Sequence, residues 1–317
     1  MNRASACAVN GPFIIVMNAD SGRQDAVASR EAVSEVLREA NHAHDFWIPE
    51  SPSGLADVAG RALAEARRSG GAVVAAGGDG TINTVAGVLQ GSGCPLGLLP
   101  QGTFNYFGRA HAVPQDPAQA ARALLRARVR PVQVGQVNGR IFLVNASLGL
   151  YPQLLEDRES YTAQFGRSRW VVFAGALMTL LRWRGQLPLR LQTRAGLEMV
   201  RTTTLFVGNN PVQLERLGLP EAEAVKAGFL AVIAVHPMGP RAMLGLLLRG
   251  LMGRLADASH LDSFAVRRLW AEPRGLRRIK VAIDGEVVWM RSPLVFEVAP
   301  QPLLLLVPHE ADQALVQ

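Results

Sequence analysis

Short apolar runs and helical windows alternate along the first 130 residues. An unbroken apolar run predicts a buried strand, whereas apolar residues three or four positions apart predict a helix. The predicted strands are Pro12 to Met17, Asp45 to Ile48, Ala72 to Ala76 and Pro95 to Leu99, and the predicted helices are Asp25 to Ala40, Leu55 to Arg68, Thr81 to Leu89 and Ala118 to Arg128. This rhythm is typical of a parallel sheet with right-handed crossovers. We therefore predict an α/β domain over residues 1–130.

The second part of the chain, residues 131–317, has a different pattern of many strand-length apolar runs. These runs are Val132 to Val137, Ile141 to Ala146, Leu187 to Gln192, Thr202 to Val207, Phe229 to Val235, Ser263 to Leu269, Arg278 to Ile283, Leu294 to Val298 and Leu303 to Val307. Strands at this density, without alternating helices, predict a mainly antiparallel β-sandwich.

Two helical segments interrupt these strands. Ser168 to Arg184 and Pro240 to Leu255 are both rich in leucine and other apolar residues and carry arginines near their ends. Such helices can lie on an anionic membrane surface with their arginines on lipid phosphates. They can equally be core helices whose arginine tips reach solvent. The sequence leaves both interpretations open.

Two glycine-containing turns follow the third and fourth predicted strands. The first contains Gly77, Gly78, Asp79, Gly80 and Thr81, and the second contains Gly102 and Thr103. Each leads from a strand into a helical segment, where glycine lets the backbone approach a ligand and the unpaired N–H groups point outward. A helix N-terminus of this kind favours phosphate. We predict that both turns face one phosphate-binding crevice.

Asp79 is the one acidic residue in these turns. A carboxylate would repel phosphate unless a divalent cation lay between them, so Asp79 indicates a Mg²⁺-bound nucleotide. The alternative is that Asp79 caps the following helix and that Asn83 and Asn105 are ordinary turn or cap residues.

The amino-acid composition indicates which ligands and which cellular compartment suit the protein. The chain has 33 basic and 26 acidic residues, which gives a net charge of +7, and only Lys226 and Lys280 are lysines. Such charge attracts anionic lipid, phosphorylated small molecules or nucleic acid, but no nucleic-acid-binding motif is present. The two cysteines, Cys7 and Cys94, form no metal or disulfide pattern, which predicts a reducing, cytoplasmic setting. The start of the chain lacks the apolar core of a secretory signal, and the longest membrane-like stretch, Trp170 to Leu181, is too short to span a bilayer.

The motifs themselves resemble a known family. Gly77-Gly78-Asp79-Gly80-Thr81-Ile82-Asn83, followed by Pro100-Gln101-Gly102-Thr103-Phe104-Asn105, resembles the diacylglycerol kinase catalytic domain family, which includes bacterial lipid kinases and sphingosine kinases. G-G-D-G alone is shared with NAD kinases and phosphofructokinases, whereas the second motif, P-x-G-T-x-N, narrows the resemblance. The similarity extends from Ile14 to Pro308.

The resemblance implies an ATP-dependent lipid kinase that uses Mg²⁺ and phosphorylates a hydroxyl of diacylglycerol or a related lipid. It implies nucleotide contacts from the two glycine turns, together with Asn83 and Asn105, and Mg²⁺ at Asp79. It adds a phosphate-contacting turn at Asn18, Ser21 and Gly22, for which a plain strand-to-helix turn capped by Ser21 is the alternative. In relatives the C-terminal residues often fold back onto the first domain, and the domain boundaries predicted here are compatible with that.

The resemblance also assigns the chemistry. It makes Glu286 the base that deprotonates the lipid hydroxyl, assisted by Asp284, and places Gly208-Asn209-Asn210 near the reaction. Residue patterns alone explain Asp284-Gly285 as a type I′ hairpin and the paired asparagines as a turn.

Several departures from the family pattern matter for function. Ala19 replaces a usual proline, Gln133 a usual aspartate, and Lys226-Ala227-Gly228 a usual D-D-G; Ile48 to Pro52 replaces a turn that commonly meets adenosine. The missing aspartates leave open a catalytically inactive nucleotide- or lipid-binding regulator, and the G-G-D-G motif shared with NAD kinases leaves open a soluble-substrate kinase of the NAD kinase type. For the kinase we expect a cytoplasmic protein, peripheral at the inner membrane face.

Overall fold

The computed structural model describes residues 9, 11–18, 23–102, 104–165, 185–194 and 196–309. The chain divides into two compact units. The first comprises Met1–Val134 and Pro300–Gln317, and the second comprises Gly135–Ala299.

A six-stranded sheet forms the centre of the first unit. Its strands are β1 (Phe13–Met17), β2 (His44–Trp47), β3 (Ala72–Gly77), β4 (Leu96–Pro100), β5 (Arg128–Val132) and β18 (Leu303–Val307). Their order across the sheet is β2-β1-β3-β4-β18-β5. The pairs from β2 to β4 are parallel, β18 adds to β4 in parallel, and β5 is antiparallel to β18. A strand from the C-terminal part of the chain therefore completes the sheet of the first unit.

Helices cover both faces of this sheet. They are α1 (Arg23–Glu39), α2 (Leu55–Ser69), α3 (Asp79–Leu89), α4 (Tyr106–Ala110) and α5 (Pro117–Leu125). Helices α1 and α5 pack with one face of the strands, where Phe13, Ile15 and Leu37 are buried together. Helices α2 and α3 contact β1 and β3 through another set of buried residues. The central strands are apolar throughout because both of their faces are covered.

Two six-stranded antiparallel sheets form the second unit. Their strands are β6 (Gly135–Val137), β7 (Arg140–Phe142), β8 (Asn145–Gly149), β9 (Leu187–Thr193), β10 (Gly196–Thr202), β11 (Thr204–Gly208), β12 (Leu230–Val235), β13 (Leu261–Val266), β14 (Arg268–Pro273), β15 (Arg278–Ile283), β16 (Glu286–Arg291) and β17 (Leu294–Val298). One sheet has the order β10-β9-β14-β17-β6-β7, and the other has the order β13-β12-β11-β8-β15-β16. Residues of both sheets share one apolar core, which includes Phe142, Leu205 and Phe296. The predicted fold class, a parallel α/β part followed by an antiparallel sandwich, is confirmed.

Four helices of the second unit are described: α6 (Leu150–Phe165), α7 (Pro211–Arg216), α8 (Glu221–Lys226) and α9 (Pro240–Leu251). The predicted helix Ser168 to Arg184 lies outside the described residues. The helix predicted from Pro240 to Leu255 ends earlier, at Leu251. Among the helices described, none combines the length and apolar character that crossing a bilayer requires.

The predicted runs miss β5, β10 and β16 and most of β14. β5, β10 and β16 are edge strands, and most of their side chains are exposed or only partly buried, so their apolar signal is weak. β14 lies inside its sheet but alternates exposed and buried residues, so it does not form an unbroken apolar run.

Candidate active site

The two glycine turns lie side by side at the carboxyl ends of β3 and β4. The two strands are parallel neighbours, as predicted, with Gly77 opposite Pro100. The backbone N–H of Gln101 donates to the Gly77 carbonyl over 2.9 Å. A Cβ added at Gly102 would lie 3.1 Å from the Cα of Gly78. The two backbones approach so closely that a side chain at Gly102 would force them apart.

The first turn opens directly into α3. Gly78 holds the N-cap position in an extended conformation, and no described side chain caps the helix. The alternative in which Asp79 caps the helix is therefore wrong, since Asp79 is the first residue of the helix itself. Without a side-chain cap, the first N–H groups of α3 retain their capacity to bind an acceptor such as phosphate oxygen.

Thr81 faces inward from this turn. Its side chain is buried, and a Cβ at Gly77 would lie only 2.6 Å from its Oγ1 atom. Gly77 is therefore required for Thr81 to pack against the end of β3. Thr81 shapes the turn from within, whereas the exposed Gly80 presents its backbone to solvent.

The Asp79 carboxylate is directed at the second turn. Burial raises the pKa of Asp79 above its usual value, and this is opposed by hydrogen bonds from the backbone N–H groups of Phe107, Asn105 and Tyr106 and by the charge of Arg109. Its Oδ1 atom is buried and has no hydrogen-bond partner among the described residues. Asp79 thus links the two turns and keeps one oxygen available for another partner.

Asn105 holds the second turn closed. Its side chain is 2% exposed and its backbone adopts the left-handed conformation, with φ of 45°. Its Oδ1 accepts from the Gly102 N–H over 3.1 Å, and its Nδ2 donates to the Gly102 carbonyl over 2.6 Å and to Gln115 Oε1 over 2.8 Å. The carboxamide for which the resemblance implied a nucleotide contact is thus bonded within the protein, where it positions the Gly102 backbone.

A partly buried histidine lies behind this turn. His111 follows α4 and packs edge-on against Phe107, with ring centroids 4.7 Å apart. Burial lowers the pKa of His111 to about 4, because a buried imidazole is disfavoured in its charged form. His111 is therefore neutral at physiological pH and supports α4 by packing.

The oxygen atoms near the glycine turns determine whether Mg²⁺ fits this site. Within the described ranges no cluster of three acidic, histidine or cysteine side chains could hold a metal. Magnesium bound with nucleotides typically uses one or two carboxylates, with phosphate oxygens and water as its other ligands. The single unpartnered oxygen of Asp79 fits that mode, and a closed protein cage for the metal is not found in the described part of the chain.

The remaining predicted nucleotide contacts lie around these turns. Asn18 follows β1, and its backbone N–H donates to the Ala76 carbonyl over 3.2 Å, which places it beside the first glycine turn. Asn83 begins the second turn of α3 and is partly exposed. Ser21, Gly22 and Thr103 lie outside the described residues.

In the second unit, Asp284 and Gly285 form the tight turn between β15 and β16. Both have positive φ, 46° and 92°, and Ile283 pairs with Glu286 across the turn. This is the geometry of a type I′ hairpin, so the hairpin interpretation of Asp284-Gly285 is confirmed.

The Asp284 side chain anchors this hairpin to the start of β8. Its two oxygens accept hydrogen bonds from the backbone N–H groups of Leu143 over 2.7 Å, Val144 over 2.9 Å and Asn145 over 2.9 Å. The family resemblance implied that Asp284 assists the base Glu286. In the structure its carboxylate is engaged by three backbone donors, which makes it a structural anchor for the turn that carries Glu286.

Glu286 itself is accessible. Its side chain is 65% exposed, and its Oε2 lies 2.7 Å from an Nη of Arg140. The arginine fixes one oxygen of a carboxylate that otherwise faces solvent. A group in this position can meet a substrate.

An asparagine that the sequence analysis did not select joins this hairpin to the G-N-N segment. Asn145 begins β8, opposite Gly208, and its Nδ2 donates to Gln213 Oε1 over 3.2 Å. Its Oδ1 is buried without a partner in the described part of the chain. Asn209 donates to the Leu143 carbonyl over 3.1 Å, and Asn210 caps α7. The available signal was a polar residue inside the apolar run from Ile141 to Ala146.

Comparison with known proteins first defines a class. A solved diacylglycerol kinase from Bacillus anthracis str. Sterne superimposes with a TM-score of 0.69 at 18% identity, covering 95% of this chain and 98% of that one. The α/β unit and the antiparallel sandwich are thus the fold of diacylglycerol kinase-like proteins.

Sequence comparison identifies the family. The profile of the diacylglycerol kinase catalytic domain matches residues 12–137. A Pseudomonas putida protein named "Probable lipid kinase YegS-like" is 32% identical over 267 residues, which cover 78% of this chain and 81% of that protein. The diacylglycerol kinase of Bacillus subtilis is 34% identical over a stretch that spans 45% of this chain and 47% of that enzyme. Three further YegS-like relatives are matched over about a third of their length or less. The chain belongs to the family of diacylglycerol kinases and YegS-like lipid kinases.

Proposed function

We propose that this protein is an ATP-dependent lipid kinase that transfers the γ-phosphate to a hydroxyl of diacylglycerol or a related long-chain alcohol. Membership of a lipid kinase family supports the reaction type. The observation that carries the proposal is the contact between the Gly78 and Gly102 turns, with the unpartnered Asp79 oxygen beside them. Together these features offer backbone N–H groups for phosphate and a carboxylate for its cation.

The first step assigns nucleotide binding to the glycine turns. The uncapped start of α3 would bind phosphate oxygens, and Asn105 would keep the Gly102 backbone in the shape that accepts them. Asp79 would hold Mg²⁺, which when bound neutralises charge on the phosphates. Asn18 lies near enough to the first turn to add a contact from β1.

The second step of the proposal identifies the base that accepts the proton of the lipid hydroxyl. The lipid hydroxyl oxygen attacks the γ-phosphorus, the bond to the β–γ bridging oxygen breaks, and ADP leaves with that oxygen. The hydroxyl proton passes to Glu286, a general base that Arg140 orients through one oxygen. Asp284 contributes by holding the turn from which Glu286 projects.

A catalytically inactive regulator is the second candidate, and one observation favours it. Lys226 occupies a position where relatives of this kind often have aspartate, and its Nζ lies 2.7 Å from Glu215 and 2.8 Å from Glu223. These hydrogen bonds, the one to Glu215 first, raise the pKa of Lys226 above its usual value. A lysine at this position cannot bind a metal ion that an aspartate there would hold.

The decisive experiment is a search for phosphorylated products by mass spectrometry. The protein is mixed with Mg²⁺-ATP and one of three acceptors: diacylglycerol in mixed micelles, an extracted bacterial lipid mixture, or NAD. We expect a lipid product that gains one phosphate. Phosphorylation of NAD alone would instead support a kinase for a soluble substrate, and ATP binding without any product would support the regulator.

Three variants define which residues carry the reaction. Asp79→Asn should abolish turnover because it removes the metal ligand, and Glu286→Gln should lower kcat by about a hundredfold or more because it removes the base. Glu272→Gln, at an exposed glutamate that pairs loosely with Arg190 over 3.6 Å, is the matched control and should leave turnover unchanged. Full activity in Asp79→Asn would refute the assignment.

A further inference from the structure

Helix α9 in the second unit has an unusual distribution of apolar residues. One of its faces is buried, because Met243 and Leu246 pack with Leu150 and Val235. This face alone would account for a helix attached to the sandwich. The opposite arc is where a surface helix normally carries its polar residues.

On α9 that outer arc carries large apolar side chains. Leu244 is 43% exposed, Leu248 is 51% exposed, and Met252, just after the helix, is 63% exposed. These residues are four positions apart and therefore form one line along the helix. Leu247, 41% exposed, widens the line on one side. We call these four residues the α9 apolar ridge.

The charge beside the ridge has one sign. The segment from Pro240 to Arg254 contains Arg241, Arg249 and Arg254 and no acidic residue. Arg254 pairs with Asp257 over 2.9 Å. Arg241 and Arg249 are exposed and form no ion pair with any residue that the structure describes.

We infer that the α9 apolar ridge docks the protein on an anionic membrane surface. Apolar side chains enter the region between headgroups and acyl chains, and Arg241 and Arg249 bind lipid phosphates beside them. The inference deepens the proposed lipid kinase function, since it names the surface on which a lipid substrate would be met. Its test requires neither nucleotide nor turnover.

Charge decides between a membrane and a second copy of the chain. In a two-fold dimer the same patch would face itself. Two copies of Arg241 and Arg249 would then lie near one another with no acid on the helix to neutralise them, which opposes association. An anionic bilayer supplies the opposite charge and a place for the leucines at the same time.

The experiment measures sedimentation of the full chain with vesicles. The probes are phosphatidylcholine vesicles with and without phosphatidylglycerol, in the absence of ATP. We expect stronger partitioning to the anionic vesicles and a decrease as salt rises. The double variant Leu244→Gln/Leu248→Gln should lower the partition coefficient about tenfold or more, and Arg241→Gln/Arg249→Gln should lower it about tenfold or more on anionic vesicles only.

The controls separate this inference from the kinase proposal. Leu276→Gln changes an equally exposed leucine away from α9, at 46% exposure, and should leave partitioning unchanged. Asp79→Asn should lose turnover and keep partitioning. If the leucine variant folds, as shown by an unaltered melting temperature, and still binds vesicles like the original protein, the inference is overturned. Conversion of a dimer to a monomer by that variant, with vesicle binding intact, would overturn it too. Should the leucine variant fail to fold, the arginine variant decides in the same way.

Discussion

Replacing Asp284 tests whether this residue is an anchor for the β15–β16 turn. Asp284→Ala removes the acceptor for three backbone N–H groups, those of Leu143, Val144 and Asn145. These residues are 2%, 4% and 6% exposed, so water cannot readily replace the carboxylate. The variant therefore leaves buried donors unpaired, which is more costly than losing an exposed hydrogen bond.

The size of the effect follows from the geometry. A hydrogen bond to a charged group contributes about 1.5–3 kcal/mol, and three that share one carboxylate are not additive. We expect Asp284→Ala to lower the local free energy of unfolding by about 3–5 kcal/mol. Asp284→Asn retains one acceptor oxygen and the tendency of the turn residue toward positive φ. It should lose about half as much, since the Leu143 donor then faces an amide N–H group.

The assay is amide hydrogen exchange at Leu143, Val144 and Asn145, followed by mass spectrometry or NMR. A loss of about 3 kcal/mol speeds exchange through local opening about a hundredfold. Glu286→Gln is the matched control, because it alters the same hairpin but only an exposed ion pair worth about 0–1 kcal/mol. Unchanged exchange in Asp284→Ala, together with a large loss of kcat, would refute the anchoring role and restore a direct part in catalysis.

Three other predictions concern the first unit. Asn105→Ala should raise the KM for ATP and lower stability by about 2–4 kcal/mol, because it removes the bonds to Gly102 and Gln115 and puts a residue that disfavours the left-handed conformation where asparagine tolerates it. Asn105→Gly, which tolerates that φ, should recover part of the stability but not the KM. Burial raises the pKa of Asp79 in the folded protein, so its contribution to stability is most favourable at low pH and declines as pH rises through that pKa. Asp79→Asn should therefore be more stable than the original protein at pH 7 in urea unfolding. A difference in unfolding free energy between the two that does not shrink on acidification would contradict this. Burial lowers the pKa of His111 to about 4, so the free energy of unfolding should fall by up to about 3 kcal/mol as pH falls from about 6.5 toward 4. His111→Gln should flatten this part of the stability–pH profile. An unchanged profile would exclude His111 as its source.

Local patterns predicted the first unit well because each of its central strands is buried on both faces. Such strands are continuous apolar runs. The four helices predicted around them have apolar residues at helical spacing, and these residues are the ones buried against the sheet. The glycine turns could be located for the same reason, since each begins where an apolar run stops. The edge strands β5, β10 and β16 could not be located in this way, because too few of their side chains are buried to form an apolar run.

The site was predictable in part. The pairing of the Gly78 and Gly102 turns followed from two adjacent strand–turn–helix motifs. The partners of Asp284 did not, since they lie 139 to 141 positions away in sequence. Asn145 was overlooked because a single polar residue in a strand has no local explanation until its neighbours are known.

The sequence by itself determined where the buried strands β1, β3 and β4 and helices α2 and α3 lie, which turns are rich in glycine, and that Asp79 stands among them, because these features depend on neighbouring residues and on backbone sterics. Only the tertiary structure decided what the polar side chains do. It directed Asp79 toward the second turn, bonded Asn105 to the Gly102 backbone and Gln115, bonded Asp284 to three distant amides and left apolar residues of α9 facing solvent. The physical reason is that a side chain's partners are set by packing between distant segments, whereas periodicity records only that a position is buried or exposed.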